Sequence, residues 1–356
     1  MKKTTYLLFI LYFLVLVTSG VIFYLRCIRG YTITKTPPIQ VEIISTRDFI
    51  YYVNGNILYR VDPTDPTKTN NFETQGEIGK LDLNKSKAEI AYETKNSSGD
   101  WEIWQGDANN IQKEKLAAKD ISTFSDWEDF LNPKYNPDKT KLAILAEGNS
   151  SDAIFVKNLD ADTWQNITEQ TKVKIADYSW NQDSKNLIYC SSTPPNGTTK
   201  NACWTFNFEN SSSTKTFDIE AKRISWDKTD NPFYLSKSQT PHIYTINPES
   251  KVSTQVDDVI APKVITNFQI DYQGKKIVYE VVFSEKSDIY LSNIDGSNRL
   301  QLTTDGTSQQ PLFSPLEDKI AFLRQKNGIY TITIDKMSEQ KIVNLEDTID
   351  ALSLWR

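Results

Sequence analysis

Residues 288–335 read DIYLSNIDGSNRLQLTTDGTSQQPLFSPLEDKIAFLRQKNGIYTITID, and this stretch contains the unit from which most of the chain is built. Largely apolar runs of two to four residues alternate with turns: IYL, then DGSN, then LQL, then LF, then SPLEDK, then IAFL, then QKNG and IYTI. Asn, Asp and Ser bond their own backbone, Pro fixes φ, and Gly supplies positive φ. Apolar runs flanking such turns predict β-hairpins. Within the stretch Phe313 is followed seven positions later by Ile320, across the turn SPLEDK.

The same spacing recurs outward along the chain. It pairs Leu83 with Ile90, Tyr135 with Leu142, Trp180 with Leu187, Trp226 with Phe233 and Ile270 with Ile277. Successive anchors lie 52, 45, 46, 44 and 43 residues apart, and NKSKAE, NPDKTK, NQDSKN, DKTDNP and DYQGKK fill the turns. A third strand follows in each unit: WEIW (101–104), AIFV (153–156), CWTF (203–206), HIYT (242–245), DIYL (288–291) and GIYT (328–331). A polar turn and usually a fourth short strand complete it. Four short strands per 40–50 residues, with no helical period between them, describe a propeller blade.

Six units account for roughly residues 79–347. The pieces at the two ends complement each other. FIYYVNGNILYRV (49–61) supplies second and third strands with no first strand, and IDALSLWR (349–356) supplies a first strand with Trp355 at the anchor place. Phe313 to Trp355 is 42 residues, in step with the rest. The expectation is an all-β, seven-bladed β-propeller, closed by pairing of N- and C-terminal strands in one blade.

Ahead of it, YLLFILYFLVLVTSGVIFYL (6–25) runs twenty positions without a charge, between Lys2 and Lys3 on one side and Arg26 and Arg29 on the other. As a helix it covers about 30 Å, the thickness of a bilayer's hydrocarbon core. We read 1–25 as a single-pass transmembrane anchor (or uncleaved signal), 26–46 as a linker stiffened by Pro37 and Pro38, and 47–356 as the propeller. A cleaved secretory signal, with Thr18 and Gly20 before the cut, is the competing reading.

Composition narrows the chemistry. The formal charge is −6, and the first 46 residues carry five bases and one acid, so the remainder holds 35 bases against 45 acids. So acidic a body predicts no nucleic-acid partner. One histidine and three cysteines in 356 residues leave little for zinc, iron or nucleophilic catalysis, and no cofactor or metal is expected. Asp160 with Asp162, and Asp62 with Asp65, lack the spacing of an EF-hand loop and read as turn acids.

The stretch at 288–335 resembles the TolB-type, WD40-like propeller repeat. In that family an IY-type strand leads to a D-G turn, an LT pair, a W/F-S-P-D-G hairpin and an IAF-type strand. The likeness is close in blades six and seven and loosens in blades two to five; SPLED stands at 314–318 where the family has SPDG. The resemblance implies an extracytoplasmic propeller, hence an amino terminus on the cytoplasmic side, and a platform that binds other molecules. Related propellers are fused to serine peptidases, but no G-x-S-x-G elbow occurs here, and His242 is the one histidine available to a triad.

Candidate sites follow from this frame. Inner strands begin three residues before each anchor, at Lys80, Asn132, Asp177, Arg223, Asn267, Gln310 and Leu352. The first six are polar and mark a candidate binding mouth. Cys190 and Cys203 face each other across blade four as a disulfide or as two buried thiols; an exported location favours the disulfide. Phe124, Trp127 and Phe130 sit in the extra length between blades two and three, either packed on the blade or protruding toward a partner. The chain thus reads as a non-enzymatic binding module for a protein, peptide or glycan, held to the membrane by one helix. The alternative is a carbohydrate- or peptide-active enzyme using channel carboxylates such as Asp177.

Overall fold

The second strand of each unit is apolar along its length because it is covered on both faces. In Lys141–Glu147, Ala143 and Leu145 pack toward blade four, while Leu142, Ile144 and Ala146 pack toward blade two. Fully burying a side chain of that size contributes about 1.5–3 kcal/mol. The fourth strands are largely exposed, as in Ser212–Phe217, and read as polar.

The computed structural model describes residues 48–84, 86–107, 111–169, 172–193, 201–344 and 351–355 of the 356-residue chain. It contains seven four-stranded antiparallel sheets. Six of them run in sequence order from their inner strands, Ile78–Asn84, Asp129–Tyr135, Lys174–Trp180, Ala221–Trp226, Val264–Ile270 and Ser308–Phe313. The seventh is composite: Ala351–Trp355 pairs with Ile50–Asn54, followed by Ile57–Asp62 and Asp65–Glu73. Its seam register sets Ile50 opposite Trp355, Tyr51 opposite Leu354, Tyr52 opposite Leu352 and Val53 opposite Ala351. This is the closure read from the two chain ends.

Seven clusters of buried side chains lie between neighbouring sheets, one at each blade interface. Ile50, Tyr52 and Leu352 of the composite blade pack on Ala321, Leu323 and Ile329 of blade seven. Its Tyr51, Val53 and Leu58 pack on Ile78, Leu81 and Tyr92 of blade two. The ring therefore closes on itself without a separate central core.

The IY repeat also acquires a role. Tyr52 stacks on Tyr59, Tyr189 on Trp204, Tyr234 on Tyr244, Tyr279 on Tyr290 and Phe322 on Tyr330, each across the second and third strands of one blade. Offset aromatic pairs of this kind add about 0.5–1.5 kcal/mol beyond burial.

Five of the six anchor pairs stand directly opposite one another. In blade five Trp226 faces Pro232, while Phe233 faces Ser225. The cause is a tighter turn, for the Asp227 amide bonds the Asn231 carbonyl four residues on. Asn136, Asn181, Asp271 and Ser314 each bond the carbonyl five residues on.

The loosened turn motif has a physical reason too. The left-handed turn position holds Gly274 (φ 66°) in blade six, but Ser184 (63°), Asp230 (59°) and Glu317 (59°) elsewhere. Left-handed backbone costs a non-glycine residue about 1–2 kcal/mol. Each of the three side chains accepts an amide from the preceding blade's turn: Ser184 from Asp138 at 3.0 Å, Asp230 from Gln182 at 3.0 Å, and Glu317 from Gln273 at 2.7 Å. At these three positions bonds between blades offset the strain; Lys139 holds the same turn position in blade three, with φ 62°.

The expected transmembrane segment and linker lie outside the described residues. Among those described, no helix is long and apolar enough to cross a membrane, and the one helical segment is a single 3-10 turn at Ser122–Phe124.

Candidate functional site

Every inner strand slips register where it enters the ring. The slips fall between Ile78 and Leu81, Leu131 and Lys134, Ile175 and Asp177, Ala221 and Arg223, Ile265 and Asn267, and Gln309 and Leu312. The seventh, in Ala351–Trp355, falls opposite Tyr51 and Tyr52. A bulge bends its strand and re-aims the residues beside it. Lys80, Asn132, Asp177, Arg223, Asn267 and Gln310 all lie at or next to these bulges, so the structure does gather the six predicted mouth residues at the corresponding point of each blade. Asn132 and Gln310 adopt left-handed backbone, with φ 57° and 55°. Leu352, in the composite blade, is buried among apolar side chains instead.

A bulge frees backbone N–H groups from the strand ladder, and these find side-chain acceptors. The Glu93 carboxylate accepts the amides of Lys80 (2.8 Å) and Asn132. The Glu280 carboxylate accepts the amide of Gln310 at 2.9 Å. Other acceptors reach into the next blade: Asp82 takes the Tyr135 amide at 2.8 Å, Asp177 the Ile224 amide at 3.1 Å, Gln269 the Phe313 amide at 2.8 Å, and Gln310 the Leu352 amide at 2.6 Å. In the opposite direction the Trp180 and Trp226 indoles donate to the carbonyls of Lys134 and Ser179. The inner strands are thereby tied round the ring by polar bonds between blades.

Its electrostatics divide by blade. Lys134 Nζ sits 2.9 Å from Asp177 Oδ1. Burial works to raise the Asp177 carboxyl, but Lys134, Arg223 and the Ile224 amide outweigh it and hold the group below the usual range. Burial lowers the Lys134 ammonium, against the pull of Asp177 and with repulsion from Lys80 and Arg223. Glu93 goes the other way: burial raises its carboxyl, against the Asn132 and Lys80 amides. Glu93 and Glu280 were missed in reading the sequence. The signal was a carboxylate inside an apolar second strand, EIAYETK and KIVYEVVF.

The other candidates fall elsewhere. Cys190 and Cys203 are joined as a disulfide between directly opposed residues, fully buried against blade five. His242 Nδ1 lies 2.8 Å from Asp257 Oδ1, whose carboxylate also accepts the amides of Ile243 and Val259. In blades three and six a threonine hydroxyl serves the matching place: Thr168 accepts the Ile154 amide at 3.0 Å and Thr303 the Ile289 amide at 2.9 Å. His242 with Asp257 is blade five's version of this latch, at the start of the third strand. Phe124 and Phe130 are fully buried, and Phe124 lies edge-on to Phe130, Phe155 and Trp164. Trp127 is half-buried against Phe155, so these rings chiefly pack the segment back onto its blade. Asp62 binds Thr64, Asp65 binds Thr67 and Lys68, and Asp162 pairs with Lys157, all as turn acids.

No protein-family model matches the sequence, and no curated protein matches it. Solved structures with the same fold include TolB from Acinetobacter baumannii, with 16% identity and a TM-score of 0.53 over 76% of this chain and 65% of that one. An oligogalacturonate lyase from Vibrio parahaemolyticus has 9% identity and a TM-score of 0.58 over 85% and 80%. A prolyl endopeptidase structure has 11% identity and a TM-score of 0.59 over 83% and 49%. At these identities the likeness is one of fold, a TolB-like propeller, and the structures that share it include an endopeptidase and a lyase as well as TolB.

Proposed function

We propose that the chain is a non-enzymatic binding module of the cell envelope, held to the membrane by residues 6–25 and presenting its propeller outside the cytoplasm to a protein, peptide or glycan. The observation that carries this reading is the mouth. Six polar side chains from six blades stand at or beside strand bulges whose amides are held by side chains of the same or a neighbouring blade. A rigid ring of this kind loses little freedom when a ligand docks, which favours binding. Two further observations support it. The buried Cys190–Cys203 disulfide suits an oxidising compartment. Both Asp177 oxygens are engaged and the carboxyl is held ionised, which suits a structural charge better than an acid catalyst.

The test is capture from envelope fractions with the full chain in detergent micelles, beside an Arg223→Gln variant and a turn-end control, Lys228→Ala. The expected result is a partner retained by wild type and control and lost by Arg223→Gln. Recovery of no specific partner, with turnover of a panel of glycans or peptides, contradicts the reading. Protease treatment of intact cells is expected to reach the propeller; full protection would place it inside.

A further inference from the structure

The hydrogen-bonding capacity left at the mouth is lopsided. Arg223 is half-buried, and its hydrogen-bond partner among the described residues is the Asn267 side-chain oxygen. Among the described residues Arg299 and Arg324 have ion-pair partners and Arg223 and Arg60 do not, although Asp177 lies near enough to Arg223 for their charges to interact. Asn267 spends its oxygen on Arg223, and Gln310 spends its oxygen on the Leu352 amide. Three consecutive blades, five to seven, are thus left with N–H donors: the remaining guanidinium edge of Arg223, Asn267 Nδ2 and Gln310 Nε2. Of the carboxylates nearby, Asp177 is engaged by Lys134 and Ile224, Glu93 through both oxygens by two bulge amides, and Glu280 through one oxygen by the Gln310 amide.

An arc of donors around a guanidinium calls for an acceptor-only group with negative charge. Arginine's planar fork matches a carboxylate through two parallel N–H···O bonds. We infer that the mouth takes an acidic peptide segment, with one carboxylate gripped by Arg223 and flanking acceptors held by Asn267 and Gln310. Lys80, exposed and close enough to Lys134 to repel its charge, adds a second cation across the ring. A peptide is favoured over an acidic sugar because none of the mouth residues is aromatic, and a sugar ring is ordinarily held on an aromatic face. Planar amides instead match planar peptide and carboxylate groups. This inference rests on the mouth being the binding site proposed above.

Fluorescence anisotropy with the full chain in micelles tests it, using labelled hexaglutamate, hexaglutamine and a hexuronate as probes. Hexaglutamate is expected to bind at least about tenfold more tightly than hexaglutamine, and Arg223→Gln to weaken it by about tenfold or more. Arg223→Lys is expected to fall between, since it keeps the charge and loses the fork. Asn267→Asp places a carboxylate beside Arg223 and is expected to abolish the preference with the thermal unfolding midpoint essentially unchanged; it decides the matter should Arg223→Gln fail to fold. Equal binding of hexaglutamate and hexaglutamine, tighter binding of the hexuronate, or indifference to Asn267→Asp would overturn the inference. If Arg223→Gln loses the envelope partner but hexaglutamate does not compete for it, the carboxylate inference fails and the mouth remains a binding site. If mouth variants leave partner capture unchanged, both fall.

Discussion

The two ends of the inner strands face the same physical demand and meet it differently. At the turn end, the residue after each anchor folds back on its own hairpin: Asn136 accepts the Lys141 amide, Asn181 the Asn186 amide and Asp271 those of Lys275 and Lys276. At the mouth, the acceptor comes from far along the chain. Glu93 is 39 residues from Asn132, and Glu280 is 30 from Gln310. Local clamps recur in blades three to seven because each hairpin must be made on its own. Mouth acceptors differ from blade to blade because each needs only to suit its neighbour.

The largest effect is therefore expected at the mouth. Glu93→Ala leaves two bulge amides without their acceptor, a loss of about 2–4 kcal/mol from the cost of unsatisfied buried donors. Glu280→Ala, which removes the acceptor of the Gln310 amide alone, is expected to cost about half as much. Urea unfolding with an unchanged slope measures both, and equal costs would break the contrast. Next, Asp227→Ala at the turn end removes the acceptor of the Thr229 and Asn231 amides. Water reaches this turn, so the expected cost is about 1 kcal/mol, and Asp227→Asn should recover most of it.

The pH dependence sharpens the same comparison. Asp177 titrates below the ordinary carboxylate range in the folded chain, so its contribution is complete above its unfolded value, about 4, and is lost as pH falls through the depressed one. Glu93 is shifted upward, so its contribution is present below its unfolded value and is lost as pH rises through the raised one. The stability gap between wild type and Asp177→Asn is expected to be flat above about pH 5 and to shrink under pH 4. A gap that widens in acid would contradict the Lys134–Asp177 account. The smallest effects concern strain. Met337→Gly, at an exposed turn with φ 51°, is expected to stabilise by up to about 1 kcal/mol. Glu317→Gly relieves similar strain but loses the bond to Gln273, so thermal melts should place it near neutral.

What was legible in the sequence follows from the same division. The blade count, the anchors and the seam between residues near Ile50 and Trp355 are repeated or periodic features, and each blade states them locally. The seven-residue spacing located the turns even where SPDG had dissolved, because the clamp tolerates Asn, Asp or Ser. The bulges were not legible, since register slips leave no composition. Glu93 and Glu280 were visible only as charges in apolar strands, with no sign of which amides they serve. The sequence left the place of Phe124, Trp127 and Phe130 open, because a long acidic segment with aromatics looks alike whether it protrudes or, as with Phe124 and Phe130, fills an interface.

Amide hydrogen exchange at Tyr135, Ile224, Phe313 and Leu352 probes the ring most directly, because each N–H is held by a side chain of the preceding blade, the last of them fixing the final strand to blade seven. Protection equal to that of ladder amides such as Leu145 or Val278 is the result this account predicts. Rapid exchange at Leu352, with those ladder amides still protected, would mean that the final strand does not close the propeller.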